Sequence, residues 1–257
     1  MANTLQFKTR KFRGLSGNQL KMIAFFLMLF DSIGFMLIMN GRLYGLNPEY
    51  WMMAISSPEG SKWYLIARIM RFVGRLAFPI FAYFIVEGYI NTQSVSKYII
   101  RMGLFAVISE VPFDLACFGT YFYPGYQNVL FTYFISLIAL DCLNKLKNTP
   151  AAIVWQVIVA GMFCFIAYSM KSDYNALGVA LICVMWMLRH NRKVRHIAGV
   201  VISVLESIDY FGISALSFFL LHMYNGDRGH VPLKYFFYIM YPAHMALFYL
   251  LVRLATG

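Results

Sequence analysis

The chain of 257 residues is 60% apolar and only 13% charged, with a mean hydropathy of +0.63, whereas soluble domains run nearer half apolar and a quarter charged. That balance excludes disordered, collagen-like and disulfide-rich secreted classes. It identifies an integral membrane protein, read as one unit over 1–257 because no stretch is polar enough for a separate water-facing domain. The net charge of +11, from 22 Lys and Arg against 11 Asp and Glu, is expected to be loop charge that orients helices, not a nucleic-acid surface.

The chain starts with a basic segment, 1–19, holding Lys8, Arg10, Lys11 and Arg13 and no acid. The apolar run after it has no small-residue cleavage site and is expected to stay as the first span. A spanning helix needs about 20 mostly apolar residues. On that measure candidates fall at roughly 20–39, 70–90, 98–117, 128–144, 151–169, 174–188, 197–223 and 234–254. The seventh is too long for one straight span and carries Glu206 and Asp209 at its middle, so it also reads as two short helices meeting inside the membrane. The runs are continuous and lack the period-2 alternation of membrane strands. The expected fold class is therefore all-α, a polytopic membrane helix bundle of eight or nine transmembrane helices.

Basic segments at 1–19, 91–101, 145–150 and 189–196 alternate with the poorly basic 40–67, 118–127 and 170–173. The positive-inside rule places the N-terminus and the basic loops in the cytoplasm. Eight spans put the C-terminus there too, and nine invert it. Tyr121, Tyr123, Tyr126, Trp51 and Trp63 fall where interfacial anchors on the far side belong. Cys117, Cys142, Cys164 and Cys183 lie at long, unrelated spacings with no CxxC pair, which reads as small buried hydrophobes and neither a metal nor a redox site.

A charge at a helix centre costs about 2.5–3.5 kcal/mol on insertion scales, so intramembrane charges usually face one another or a wet cavity. Here Asp31, Arg71, Arg75, Glu87, Glu110, Asp114 and His244 all fall inside candidate spans. At a rise of about 1.5 Å per residue, Asp31 lies about 16 Å into the first span, and Glu110 and His244 come to similar depth. Arg75, Asp114 and Asn128 fall in the outer half. Glu110 and Asp114 are four residues apart, so both carboxylates share one helix face, expected to point at Arg71 and Arg75. An interhelical ion-pair network that only fixes packing is the alternative reading. His244, in Tyr-Pro-Ala-His, suits proton abstraction from an amine or hydroxyl, and equally a hydrogen-bonded packing role. Pro79 and Pro242 free backbone carbonyls, which agrees with a polar cavity. GxGxxG, GxxxxGK, HExxH and GxSxG patterns do not occur, so nucleotide-fold, zinc-protease and hydrolase-elbow readings have no footing. The basic run 189–196 reads as a topogenic loop, with a second role in holding cofactor phosphates left open.

Several of these segments together resemble the TraX family, membrane proteins linked to acetylation of the conjugative pilin N-terminus and related to transmembrane acyltransferases. The resemblance is carried by Leu20-Lys21-Met22-Ile23-Ala24 leading to Asp31, by Gly74-Arg75-Leu76-Ala77-Phe78-Pro79 with Val86-Glu87-Gly88, and by Ile108-Ser109-Glu110-Val111-Pro112-Phe113-Asp114. Asn128-Val129-Leu130-Phe131-Thr132, Ser172-Asp173-Tyr174, Tyr224-Asn225-Gly226-Asp227-Arg228-Gly229 and Tyr241-Pro242-Ala243-His244 extend it over nearly the whole chain. It implies a multi-pass protein of the bacterial cytoplasmic (inner) membrane, with an N-terminal cytoplasmic segment. It also implies an acetyltransferase that moves an acetyl group from acetyl-CoA to an amine or hydroxyl acceptor near the outer face, such as a pilin N-terminus or an envelope glycan.

In that scheme Ser32, Asp31 and His244 flank the acceptor, Arg75 and Asn128 stabilise the developing oxyanion, and Glu110, Asp114 and Glu87 orient them. Arg71, Arg189, Arg192, Lys193 and Arg195 are the expected cofactor contacts, and no metal or nucleic acid is implied. One departure stands out: the family reads Asp-His-Ile-Gly in the first span, and this chain reads Asp31-Ser32-Ile33-Gly34. That leaves open an engineered inactive variant, a natural member that uses His244 or a carboxylate as base, or a member that has lost catalysis. Two other function classes remain beside the enzyme: a transporter whose buried charges relay protons or bind substrate, and a pilus or envelope assembly factor that uses the charged cluster for structure.

Overall fold

The computed structural model describes residues 14–229 and 234–256; the basic residues Lys8, Arg10, Lys11 and Arg13 lie outside them. Helix α1, Gly17–Ser32, opens on a capping box: Gln19 N donates to Ser16 Oγ (3.4 Å) and Ser16 N donates to Gln19 Oε1 (2.8 Å), which satisfies two of the free N–H groups of a helix start. Two more, Gly17 N and Asn18 N, donate to the carbonyls of Asp227 and Arg228 (2.8 and 3.0 Å). This holds the 224–229 loop against the mouth of α1. Directly after Ser32 the helix widens into a π-helical stretch, Ile33–Arg42, a geometry that occurs mostly as single turns and often at functional sites.

The predicted 40–67 loop contains α2, Pro48–Ser56, and the start of α3, Pro58–Gly74. Each has proline in its first turn behind an Asn47 or Ser57 cap, where a missing N–H costs nothing. The second expected span, 70–90, divides at Arg75. Pro79 removes the donor that would bond the Arg75 carbonyl, and its ring crowds that carbonyl, so α3 stops at Gly74 and α4 runs Ala77–Asn91. The remaining helices are α5 (Val95–Phe118), α6 (Val129–Lys145), α7 (Ala152–Ser169), α8 (Asn175–Met187), α9 (Arg192–Glu206), α10 (Ser217–His222) and α11 (Lys234–Thr256). The seventh expected span is thus two helices, α9 and α10, joined through short 3₁₀ turns at Ile208–Tyr210 and Ile213–Leu216.

The fold is all-helical, with no strand among the described residues, and four stretches are long and apolar enough to cross a membrane: Gly17–Arg42, Pro58–Asn91, Ala152–Ser169 and Tyr235–Ala255. Helix α5 matches them in length, 24 residues, but carries Lys97, Arg101, Glu110 and Asp114.

Side-chain pairings fix the helix directions. Phe25 meets Phe236, Ser32 meets His244, and Gly41 abuts Val252, so α1 and α11 run parallel. Asn40 donates to the carbonyls of Ala116 and Cys117 (3.1 and 3.3 Å), which aligns α5 with them. The α3–α4 pair runs the other way, with Gly74 against Asp31 and Gly17 against Phe84. The fully buried side chains Leu137, Leu140, Leu143, Leu181 and Ile182 place the core on α6 and α8, behind α4.

Small residues let α1 and α3 approach closely. A methyl group on Gly34 would lie 3.0 Å from the Ala67 carbonyl oxygen, and one on Gly74 would lie 2.9 Å from the Asp31 Cα and nearer still to its Cβ. Gly74→Ala is expected to lower stability by about 1–3 kcal/mol through overpacking, although alanine is otherwise the better helix former. Gly161→Ala on α7, where a methyl group meets nothing within 4 Å, should be neutral or stabilising by up to about 1 kcal/mol. Thermal denaturation of the two purified variants in detergent measures the contrast.

Candidate functional site

The parallel approach of α1 and α11 brings together two polar side chains 212 positions apart: Ser32 Oγ lies 3.2 Å from His244 Nε2. His244 Nδ1 lies 2.8 Å from the Met240 carbonyl oxygen, one turn back on α11. A carbonyl only accepts, so Nδ1 carries the proton and Nε2 presents its lone pair. The Ser32 hydroxyl therefore donates to Nε2. The ring is buried, edge-on between Tyr241 and Phe248 with centroids 5.7 Å away on each side.

Around the break between α3 and α4 the guanidiniums face aromatic rings and the Asp31 carboxylate, with Asp173 and Glu206 also within electrostatic reach of Arg75. Arg71 Nη1 lies 3.9 Å from Asp31 Oδ2, and Arg71 Nε donates to the Tyr210 hydroxyl (3.3 Å). Arg75 lies over the rings of Tyr210 (4.8 Å) and Tyr174 (5.6 Å), a cation–π pairing suited to low-dielectric surroundings. Asp31 Oδ1 and Arg75 Nε are buried with no hydrogen-bond partner. Two turns at the far end of the bundle complete the wall: Gln127 N donates to the Lys171 carbonyl (3.1 Å) and Asp173 N to the Gln127 carbonyl (2.9 Å). There Asp173 Oδ1 accepts from the Tyr126 hydroxyl and the Tyr174 N–H (2.8 and 3.0 Å). Burial pushes the Asp173 carboxyl up from its ordinary value, against the pull of the Arg75 guanidinium and the Tyr126 hydroxyl. Tyr126, expected as an interfacial anchor, is instead part of this wall, whereas Tyr121 is exposed.

Glu110, Asp114 and Asn128 occupy a different place from the one the sequence suggests. Glu110 and Asp114 do share a face of α5, but it meets the 119–128 loop and the start of α6. Asp114 Oδ2 accepts from Tyr123 N (2.8 Å), and Glu110 Oε2 accepts from the Asn128 side chain and, at 3.4 Å, from its N–H. Asn128 also donates to the Ala106 carbonyl (2.9 Å) and caps α6 by accepting from Leu130 N (3.0 Å). These three residues tie α5 to α6. The carboxylate opposite Arg71 is that of Asp31.

One cavity of about 1270 Å³ joins these parts, lined along α1 from Gly17 to Met36, a rise of about 28 Å against a hydrocarbon thickness of about 30 Å. Asp31, Ser32, Arg71, Arg75, Tyr126, Asp173 and Tyr174 line its deeper half; Lys21, Lys97, Arg101 and Arg228 line its other end, among Phe84, Tyr98 and Tyr238. The basic run 189–196 contributes no lining residue. Arg189 stacks on Trp186 (4.0 Å) and Arg192 donates to the His222 carbonyl (2.8 Å). Lys193 is exposed. Arg195 is buried, donating to Tyr83 (2.7 Å) and lying 3.5 Å from Glu87. In the sequence Lys21 stands out only within the family segment Leu20–Ala24 and Arg101 only within the basic segment 91–101, and Tyr174, Asp173 and Tyr210 carry no signal of their own beyond the family segment Ser172-Asp173-Tyr174. Among the described residues no group of three or more His, Cys, Asp or Glu has metal-binding geometry.

The family profile described as TraX protein matches residues 16–252. Among curated proteins, the probable fimbrial assembly protein FimC, serogroup H1, of Dichelobacter nodosus is 28% identical over 205 residues, covering 69% of this chain and 80% of that protein. No solved structure matches the chain.

Asn128→Ala removes a helix cap and leaves the Glu110 carboxylate without its partner, so stability should fall by roughly 2–3 kcal/mol. Because Asn128 lies outside the cavity lining, ligand binding by the fraction that remains folded should not change. Thermal denaturation paired with a binding isotherm on the same preparation checks both.

Proposed function

The chain belongs to the TraX family, and from that premise and the course of the cavity we propose that it is a membrane acetyltransferase acting on a pilus subunit. The donor is acetyl-CoA from the cytoplasm and the acceptor is the pilin N-terminal amine presented from the outer half of the inner membrane. The observation that carries the reading is the single cavity, which links a basic, aromatic end to a buried Ser32–His244 pair beside Asp31 and Arg75. Its volume of about 1270 Å³ exceeds the roughly 300–1,000 Å³ of a site for one small molecule, which leaves room for two substrates.

Lys21, Lys97, Arg101 and Arg228 hold the donor's phosphates and the neighbouring rings its base, charge-assisted contacts of the kind that phosphate recognition requires. At the deep end the Ser32–His244 pair supplies the base. Arg75, with an unpartnered Nε, receives the charge that develops on the carbonyl oxygen, and Asp31 Oδ1, also unpartnered, receives the acceptor's N–H. The fimbrial assembly name of the Dichelobacter nodosus relative favours a pilus subunit over an envelope glycan as acceptor.

We propose nine membrane segments, α1, α3–α4, α5, α6, α7, α8, α9, α10 and α11, with α9 and the short α10 entering and leaving on one side, since Arg192 at the start of α9 donates to the His222 carbonyl at the end of α10. With the basic ends in the cytoplasm, the N-terminus is cytoplasmic and the C-terminus, past Arg253, lies outside. Reporter fusions decide the point: alkaline phosphatase fused after Gly257 should be active and a fluorescent protein there dark, and the reverse pattern overturns this arrangement.

Purified protein given labelled acetyl-CoA and a pilin N-terminal peptide should transfer label to the peptide amine. Arg101→Ala should weaken donor binding tenfold or more, about the 1.5–3 kcal/mol of a hydrogen bond to a charged group. Lys62→Ala, exposed on α3 away from the cavity, should bind as before. Absence of any acetyl transfer by folded protein overturns the enzyme reading.

A further inference from the structure

The imidazole of His244 is not among the groups that line the cavity, whereas Ser32 is. Anything bound there therefore meets the base through the Ser32 hydroxyl, which lies 3.2 Å from Nε2. The Nδ1 contact with the Met240 carbonyl, at 2.8 Å, keeps the lone pair of Nε2 pointed at that hydroxyl. A hydroxyl hydrogen-bonded to an oriented neutral imidazole, with a third group fixing the base, is the arrangement of an activated nucleophile. Ser32 also ends the α-helical part of α1, where the backbone passes into the π-helical stretch.

We propose that Ser32 is a covalent catalytic residue: it takes the acyl group from the thioester as an ester on Oγ and then hands it to the acceptor. The proposal rests on the acetyl-transfer reading above and adds its order of events. In the first half-reaction the Oγ–carbonyl carbon bond forms and the carbon–sulfur bond breaks. The serine proton passes to His244 Nε2 and from there to the departing thiolate. In the second half, the acceptor nitrogen bonds to the same carbon and the Oγ–carbon bond breaks. The amine proton passes through Nε2 back to Oγ, so atoms and charge balance and no further reactant is needed. Donor and acceptor then need not be bound together. The donor enters and leaves by the basic end of the cavity while the acyl group waits on Ser32 for an amine from the other end. Cys117 also lines the cavity and is buried, so it is the competing nucleophile.

The test uses the full-length protein in detergent micelles, first with labelled acetyl-CoA and no acceptor. The expected result is one acetyl group on the peptide that contains Ser32, an equal amount of free CoA thiol, and transfer of that label to a pilin peptide added later. The ester should resist neutral hydroxylamine, and Ser32→Cys should convert it to a labile thioester. Ser32→Ala should lose the label, and His244→Asn should slow its formation by roughly 10²–10⁴-fold, with gel filtration and thermal denaturation confirming that both variants fold. A fluorophosphonate, which needs no acyl donor, should label Ser32 in the unsubstituted protein and not in His244→Asn.

Acetyl transfer to peptide by Ser32→Ala at the unsubstituted rate, or a label on Cys117, overturns the covalent role and leaves the enzyme reading standing. Absence of both the acetyl ester and the fluorophosphonate adduct overturns it as well. Fluorophosphonate labelling without acylation by acetyl-CoA supports Ser32 as the nucleophile and overturns the donor assigned above.

Discussion

The site depends on how closely α3 can approach α1. Gly74 lies against the backbone of Asp31, at a distance that admits no side chain, and Gly34 lies against α3 one turn further along. Without a hydrophobic driving force between helices in lipid, such close packing is what lets two helices associate. It also has an electrostatic consequence. The guanidiniums of Arg71 and Arg75 come from the last turn of α3 and the break beyond it, so bringing Gly74 to Asp31 brings both cations to the Asp31 carboxylate, with Asp173 on the facing wall. Pro79 marks the break beyond Arg75, because it cannot donate to the Arg75 carbonyl.

The buried charges then divide into two kinds. Glu110 and Asp114 have backbone and amide donors for partners, which is how a membrane protein satisfies loop and helix-end N–H groups in the absence of water. Asp31 and Arg75 each keep an unpartnered buried atom beside the cavity. A polar atom left unmade costs about 1–3 kcal/mol, and the fold has donors and acceptors close by with which it satisfies every atom of Asn128. Glu110 Oε1 and Asp114 Oδ1 are also buried without a partner, but they lie at the α5–α6 junction, so it is position beside the cavity, and not the missing partner alone, that sets Asp31 and Arg75 apart.

This division is where sequence reasoning reaches its limit. The four-residue spacing of Glu110 and Asp114 correctly places both on one face of α5, because helix periodicity is local. Which way that face points is decided by the 119–128 loop, whose Tyr123 N–H and Asn128 amide compete with the arginines at shorter chain separation. In the same way, the split of the long seventh span is legible from Glu206 and Asp209, since two acids cannot sit at the centre of one lipid-facing helix. The role of Tyr210 in the turn between is not, because nothing local marks a tyrosine that will meet Arg71 from 139 positions away. Of the basic segments, 91–101 supplies cavity cations, Lys97 and Arg101, beside Lys21 and Arg228, while Arg192 and Arg195 of the most basic run serve backbone carbonyls, a tyrosine and Glu87.

The serine at position 32 gains its meaning from α11. Taken alone, a hydroxyl beside Asp31 has no means of losing its proton near neutral pH. The parallel run of α1 and α11 puts an imidazole directly behind that hydroxyl, and the Met240 carbonyl fixes which nitrogen faces it. On the acyl-transfer reading proposed above, a histidine at position 32 would stand in the cavity as a base in contact with substrate. A serine there, with the imidazole one side chain further back, would on the same reading put a nucleophile in that place instead. The same pair of helices can therefore present either chemistry to the cavity, and position 32 selects between them.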